Sequence, residues 1–408
     1  MKPAKPETVI PEATSVAVHP NTRQTVCGPL AASSRANLSE DTMSTVTTIE
    51  SPRPLRRAGR SVAARISYIA ALAITSTSLT SLATTAAYAC ACGCSVFDVG
   101  GGLLPQENDH GGRVFLEYWY SNQTQNWIGA AKAPHNVNHD QNLNTSWYSV
   151  GFSYNFNRDW GVFMRVPTAV RNLTTDTGPP PGAMGVQTFN SNGLGDIEID
   201  AMYTGFFKDM STGVMFGLKL PTGVYTAPGL DRDNQIGTGS TDFIVSFFHR
   251  GMLSGDNAWQ YFQQIRLQQP FLYQAAADPQ GFFDGNAGVV QTYKPGMQVD
   301  GAFGILYNNW YNVFGFDKIT PLGQVILSHR NHDNGTGSDP LNTGFDRVML
   351  SPGIELTKVL DEANNRVMKL YADIEIPVYY RANAANNAGT DGQLIAPYLV
   401  KVVASYNF

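Results

Sequence analysis

The segment from Gly193 to Gly223 constrains the fold of this chain more than any other. Ile197, Ile199, Ala201 and Tyr203 fall on one face, and Asp196, Glu198, Asp200 and Met202 on the other. After the polar residues Lys208 to Ser211 the alternation resumes. Val214, Phe216, Leu218 and Leu220 share one face; Gly213, Met215, Gly217 and Lys219 share its opposite. A period of two belongs to β-strands, so the segment is predicted to be a hairpin with one apolar and one charged face. In a soluble sandwich the apolar face would meet a second sheet. In a membrane barrel it would meet lipid, and the charged face would line the lumen.

The remainder of the chain favours the barrel. Strand patterns run over Arg113–Ser121, Trp147–Phe156, Trp160–Thr168, the two hairpin arms, Ser240–His249, Trp259–Leu267, Met297–Tyr307, Tyr311–Leu327, Phe345–Leu356, Val367–Tyr380 and Leu394–Phe408. Tyr311–Leu327 alternates poorly and contains Pro321. Tight connections follow the even strands, at Asn157 to Asp159, Lys208 to Ser211, Gly251 to Asn257, Asn308-Asn309 and the somewhat longer 357–366. Long polar connections follow the odd strands: 122–145, 169–192, 222–238, 270–296, 328–344 and 381–393. Outer-membrane barrels sort their loops in this way, with short turns in the periplasm and long loops outside. A sandwich has no reason to. Trp147, Trp160, Trp259, Trp310, Tyr311, Tyr379 and Tyr380 lie near strand ends, as an interfacial girdle requires. Charged residues make up only 15% of the 408 residues, against about 25% in soluble domains. No long apolar run beyond Ile66–Leu82 suits a membrane helix. The net charge of −5 and the lack of a basic patch argue against nucleic acid.

The N-terminal region reads as a targeting segment. Residues 1–62 are polar and aperiodic. Arg56, Arg57, Arg60 and Arg65 precede the apolar Ile66–Leu82, which ends at the small-x-small site Ala87-Tyr88-Ala89. Residues 1–89 are expected to be a signal peptide with a disordered N-terminal extension, and Met43 is an alternative start. Cleavage after Ala89 would leave Cys90, Cys92 and Cys94 at the head of a periplasmic tether, 90–112. These cysteines admit a disulfide with a leftover thiol, a thiolate metal site or a lipid anchor. The barrel is expected over 113–408.

The last strand carries an assembly signal. Tyr398, Val400, Val402, Ala404, Tyr406 and Phe408 alternate to a terminal aromatic, and Tyr406 and Phe408 resemble the signature by which outer-membrane proteins engage the barrel-assembly machinery. Three further motifs point to a family: Gly193-Leu194-Gly195-Asp196, Lys219-Leu220-Pro221-Thr222-Gly223, and Gly237-Thr238-Gly239-Ser240-Thr241-Asp242. Together they resemble the outer-membrane "MetA-pathway of phenol degradation" transporter-like family. The resemblance implies an outer-membrane barrel of a Gram-negative bacterium, associated with the breakdown of aromatic compounds. The Cys90–Cys94 start is not part of that pattern.

The expected fold is thus all-β, a transmembrane antiparallel up-and-down β-barrel of about 12 strands. Its expected lumen-lining residues are Glu117, Arg165, Asp196, Glu198, Asp200, Lys219, Asp242, Arg266, Asp300, Lys369, Asp373, Glu375 and Lys401. Such charges either neutralise one another in a filled barrel or line a permeation path. The expected function is passive diffusion of small, aromatic or hydrophobic solutes through a charged lumen. The alternative is a plugged scaffold that binds a metal or a periplasmic redox partner through Cys90, Cys92 and Cys94. His135, His139 and Asp140 on the first long loop, with His329, His332 and Asp333 on the fifth, offer a weaker divalent-cation site at the mouth. No nucleophile and base combination suggests an enzyme, and no cofactor is expected beyond such a metal.

Overall fold

The computed structural model describes residues 110–134, 138–176, 185–227, 232–271, 274–278, 289–335, 338, 340–384 and 392–408. The leader, Cys90, Cys92, Cys94 and His135 lie outside the described residues. Twelve strands form the wall: β1 (Gly111–Gln123), β2 (Asp140–Asn155), β3 (Trp160–Asp176), β4 (Val186–Leu194 and Ile197–Tyr203), β5 (Thr212–Leu220), β6 (Asp242–Met252), β7 (Trp259–Pro270), β8 (Gln298–Tyr307 and Trp310–Val313), β9 (Phe316–Arg330), β10 (Phe345–Asp361), β11 (Arg366–Ala382) and β12 (Leu399–Asn407). Each pairs antiparallel with its sequence neighbours, and β12 returns to β1 with Arg113 opposite Asn407 and Ser121 opposite Leu399. The barrel is closed, which removes the exposed edges that twelve such strands would otherwise present.

The pleat assigns each residue to lipid or lumen. Leu116 is 61% exposed, and Val150, Ile199, Phe247, Ile265, Leu350 and Ile376 are also exposed on the outer face. One residue away along the same strands, Glu117, Ser149, Glu198, Asp200, Ser246, Arg266, Ser351 and Glu375 are buried inside. This is the inverse of a soluble fold, and only a hydrocarbon surround makes it stable. The chain is an outer-membrane β-barrel.

The long and short connections sort by parity, with three corrections to the expected boundaries. The turn between β8 and β9 is Phe314-Gly315, both with positive φ (52° and 81°), and not Asn308-Asn309. The expected strand Tyr311–Leu327 is therefore two arms of one hairpin, its first arm extending β8. Pro321 sits inside β9. Its ladder to β10 runs unbroken, with Pro321 opposite Ile354. Its ladder to β8 stops at Leu306–Leu322 and resumes at Trp310–Ile319. The missing N–H thus coincides with the break in β8. The connection between β10 and β11 shrinks to the four residues after Asp361, because both strands outrun the expected 357–366 gap. Trp147 and Tyr380 also depart from the expected girdle. Trp147 shares the inward parity of Thr145 and Ser149, and Tyr380 is buried against Phe345. Trp160, Trp259 and Tyr379 do face outward, and Trp310 and Tyr311 are exposed on the hairpin that joins β8 to β9.

Apolar side chains also occupy the lumen. Phe115, Phe163, Met202, Met215, Phe248, Leu322, Tyr371 and Val403 form one buried cluster, drawn from eight strands and lying toward the short-turn end. Trp119, Phe262, Ala302, Ile326, Met349 and Leu399 form a second that joins β1 to β7 across the interior. Glycine makes room for these rings. A Cβ at Gly151 would lie 1.9 Å from the Phe115 ring, and one at Gly304 would lie 2.2 Å from Phe262.

Candidate functional site

The three motifs that span the break in β4, end β5 and lead into β6 meet in one knot. Lys219 reaches inward from β5, and its ammonium donates to Asp196 Oδ2 at 3.0 Å and to Thr238 Oγ1 at 2.5 Å. It also pairs with Asp242 Oδ2 at 3.1 Å. Asp196 fills the break in β4. It accepts from the Thr238 amide (2.9 Å) and hydroxyl (2.6 Å) and from the Gly223 amide (3.1 Å). Thr222 bridges the same break, donating to Gly195 O and accepting from the Ile197 amide. Ser240 donates to Asp242 Oδ1 at 2.6 Å. Gly223 and Gly237 pack so closely that a Cβ on Gly237 would lie 2.4 Å from the Gly223 carbonyl. The glycines and small hydroxyls of the motifs therefore serve to tie the β5–β6 loop to the wall.

Below this knot an ion-pair belt crosses from β3 to β7. Glu198 on β4 accepts from Arg165 Nη2 at 2.6 Å and from Arg266 Nη2 at 2.9 Å. Arg165 also lies 3.7 Å from Glu117, whose other oxygen accepts from the Trp119 indole at 3.0 Å. Asp200 is buried on the same face of β4. Room for it depends on Gly217, whose added Cβ would lie 2.2 Å from the Asp200 carboxylate. The opposite wall carries its own network. Gln324 donates to Ser351, Tyr371 and Asp373, and Ser351 donates to Asp373 at 2.6 Å. Lys401 pairs with Glu375 at 3.3 Å and lies 4.5 Å over the Trp119 ring. Asp300 accepts from Gln298 and Ser328, and Lys369 pairs with Glu355 at 2.8 Å near the short-turn end.

Between the long loops and the belt lies a cavity of about 140 Å³. Its floor is Arg165, Glu198 and Arg266, and one side is the Asp196–Lys219–Asp242 knot. Its roof comes from 232–238 of the β5–β6 loop, from Tyr293, Pro295 and Gly296, and from Arg330 and Asp333. Asp333 is buried and accepts from Arg330 (2.6 Å), the Gly296 amide (2.8 Å) and the Tyr293 hydroxyl (2.7 Å). Arg232 lies 3.8 Å over the Tyr293 ring. Burial alone would depress its guanidinium, but Tyr293 and the carboxylates of Asp333 and Asp233 outweigh burial and raise it. A smaller cavity of about 20 Å³ lies beyond the belt, bounded by Phe163, Asp200, Met215, Ser246 and Gln264.

All thirteen charged residues picked out by alternation sit on the inward face. The structure brings Asp196, Lys219 and Asp242 together, groups Arg165, Glu198, Arg266 and Glu117, and pairs Glu375 with Lys401; Lys369 stands apart with Glu355. Arg171, Arg232, Arg330 and Arg347 were missed. Arg171 continues the inward parity of Arg165, Pro167 and Ala169, so following the alternation beyond Thr168 finds it. The described loop histidines do not converge. His139 Nδ1 lies 2.8 Å from the Asp176 carbonyl, and His329 pairs with Asp346. Among the described residues no cluster of His, Cys, Asp and Glu suits a metal ion. Phe408 and Tyr406 stack at 6.1 Å, and Phe408 exchanges backbone hydrogen bonds with Gly112 at the β1–β12 seam.

No family model and no curated protein matches the sequence. Among solved structures, an outer membrane channel from Pseudomonas putida F1 is similar at a TM-score of 0.51 and 10% identity, over 76% of this chain and all of that one. The β domain of a Bordetella autotransporter (TM-score 0.40, 11% identity, 73% and 100% covered) and a Pseudomonas aeruginosa FadL homologue (0.35, 9%, 74% and 90%) are more distant. What the chain shares with the Pseudomonas putida protein is its fold, a closed antiparallel β-barrel.

Proposed function

We propose that the chain is an outer-membrane channel for small solutes, entered from the long-loop side. The observation that carries this reading is the charged cavity between the long loops and the Arg165–Glu198–Arg266 belt, inside a wall whose outer face is apolar. Polar lining at that position serves no purpose in packing against lipid. It suits a solute that is stripped of water in steps on its way down the lumen. The belt and the apolar cluster around Phe163 and Phe248 make this conformation a shut one, so permeation requires both to part. The resemblance to the phenol-degradation transporter-like family supports aromatic compounds among the solutes. The same filled lumen favours a second reading, a plugged scaffold whose Cys90, Cys92 and Cys94 hold a metal or a redox partner. Planar-bilayer recording separates the two. The channel reading expects discrete openings from the purified protein and uptake of small solutes by proteoliposomes. Silence in both assays, with a metal bound per chain that is lost on replacing the three cysteines, would establish the scaffold instead.

A further inference from the structure

We propose that the cavity is a binding site for a small aromatic monocarboxylate, anchored by Arg171. The proposal rests on the channel reading for the solute's route. Arg171 is 2% exposed and forms part of the cavity wall. Its Nη1 donates to the carbonyl oxygens of Asp233 (3.0 Å) and Gln235 (2.6 Å), and its Nε to Thr145 Oγ1 at 3.3 Å. Those three acceptors are neutral. Its Nη2 is buried with no acceptor. Four other cations of the wall are answered by carboxylates, Arg165 and Arg266 by Glu198, Lys219 by Asp196 and Asp242, and Arg330 by Asp333, whereas Arg232 stacks on the Tyr293 ring and donates to Gly237 O. A buried guanidinium without a counter-charge is costly, and so is an orphaned N–H. One carboxylate accepting from Nη2 satisfies both, while Nη1 and Nε keep the acceptors they already have.

The wall also sets the charge and the shape. It carries six cationic side chains and five carboxylates, so a single negative charge balances it. A second would approach Asp196, Glu198 or Asp333. The Trp147 ring lies 5.8 Å from the Arg171 guanidinium carbon and lines the same cavity, so a ligand held at Arg171 meets an aromatic wall. The volume of about 140 Å³ is close to that of a cavity of roughly 150 Å³ known to hold benzene.

The test uses the full chain folded in lipid vesicles, with equilibrium dialysis of benzoate, benzamide and phthalate. Benzoate is expected to bind at least tenfold tighter than the uncharged amide or the dianion. Arg171→Gln is expected to abolish that preference, with heat-modifiable gel mobility showing that the barrel is folded. Ser191→Ala loosens the same loop by removing the Ser191 hydroxyl from Asn234 O at 2.6 Å, and is expected to keep the preference. Should Arg171→Gln not fold, Arg171→Lys, which keeps the charge but has no Nη2 to spare for the ligand, is expected to weaken benzoate while leaving benzamide unchanged. Equal binding of benzoate and benzamide, a preference that survives loss of the guanidinium, or loss of preference in Ser191→Ala would overturn the proposal. Bilayer recording keeps the two readings apart. Conductance without benzoate preference removes this proposal alone, whereas benzoate binding without conductance removes the channel and leaves the site.

Discussion

At the scale of single residues, the lumen is organised by a few charges whose partners are fixed. Lys219 is the plainest case, since two carboxylates converge on its ammonium. Lys219→Met would leave Asp196 and Asp242 facing each other without a cation. Removing one partner of a buried ion pair costs about 3–5 kcal/mol, so urea unfolding of the vesicle-inserted barrel is expected to shift by that order. Lys219→Arg should recover part of it. Alternation along the strands made the thirteen inward charges legible, because the pleat leaves a strand residue only two directions. It could not say which charge meets which. Glu198 and Arg266 are far apart in sequence and touch only because the wall curves. Nor did it place Asp196 in a gap between two halves of a strand, since a break at Gly195-Asp196 leaves the surrounding alternation intact.

At the scale of elements, lipid and lumen faces differ in what they tolerate. Leu350 is exposed and Ser351 buried on β10. Leu350→Arg is expected to destabilise the inserted barrel by about 2–4 kcal/mol if it lies near the bilayer midplane. The same denaturation assay checks this. The β8–β9 hairpin offers a sharper contrast. Its turn needs Gly315 at φ 81°, and a β-branched residue in left-handed backbone costs roughly 1–2 kcal/mol. Gly315→Val should therefore lower stability, whereas Asn309→Ser, at the position expected from sequence to be the turn, should change it little. The sequence reading erred here for a physical reason. Asn308-Asn309 looks like a turn, and Pro321 looks like a strand breaker. In the fold these two features answer one another as an interruption between neighbouring strands, and the chain reverses a few residues later. Strand ends were underestimated in the same way at β2, β3 and β10, whose outer portions carry Asn, Thr and Lys. Those residues stand clear of hydrocarbon and so lose the apolar signal while keeping the ladder.

At the scale of the molecule, the barrel is a wall of exposed apolar residues around a packed interior. On the proposed channel reading, the cluster toward the short-turn end and the belt above it are two barriers in series. Phe248→Ala, which removes a fully buried ring from the first, is expected to raise single-channel conductance or open probability several-fold in planar bilayers. Glu198→Gln should act on the second and turn ion preference toward anions, because Arg165 and Arg266 would lose their shared carboxylate. No change in either variant would mean that permeation avoids this route. The belt has one more consequence. Mobile ions weaken attraction between exposed charges but reach buried ones poorly, and the Arg165, Glu198 and Arg266 side chains are each less than a tenth exposed. Dilute or brackish surroundings would therefore leave these pairs equally tight, and the saltiness of the water alone would not part them.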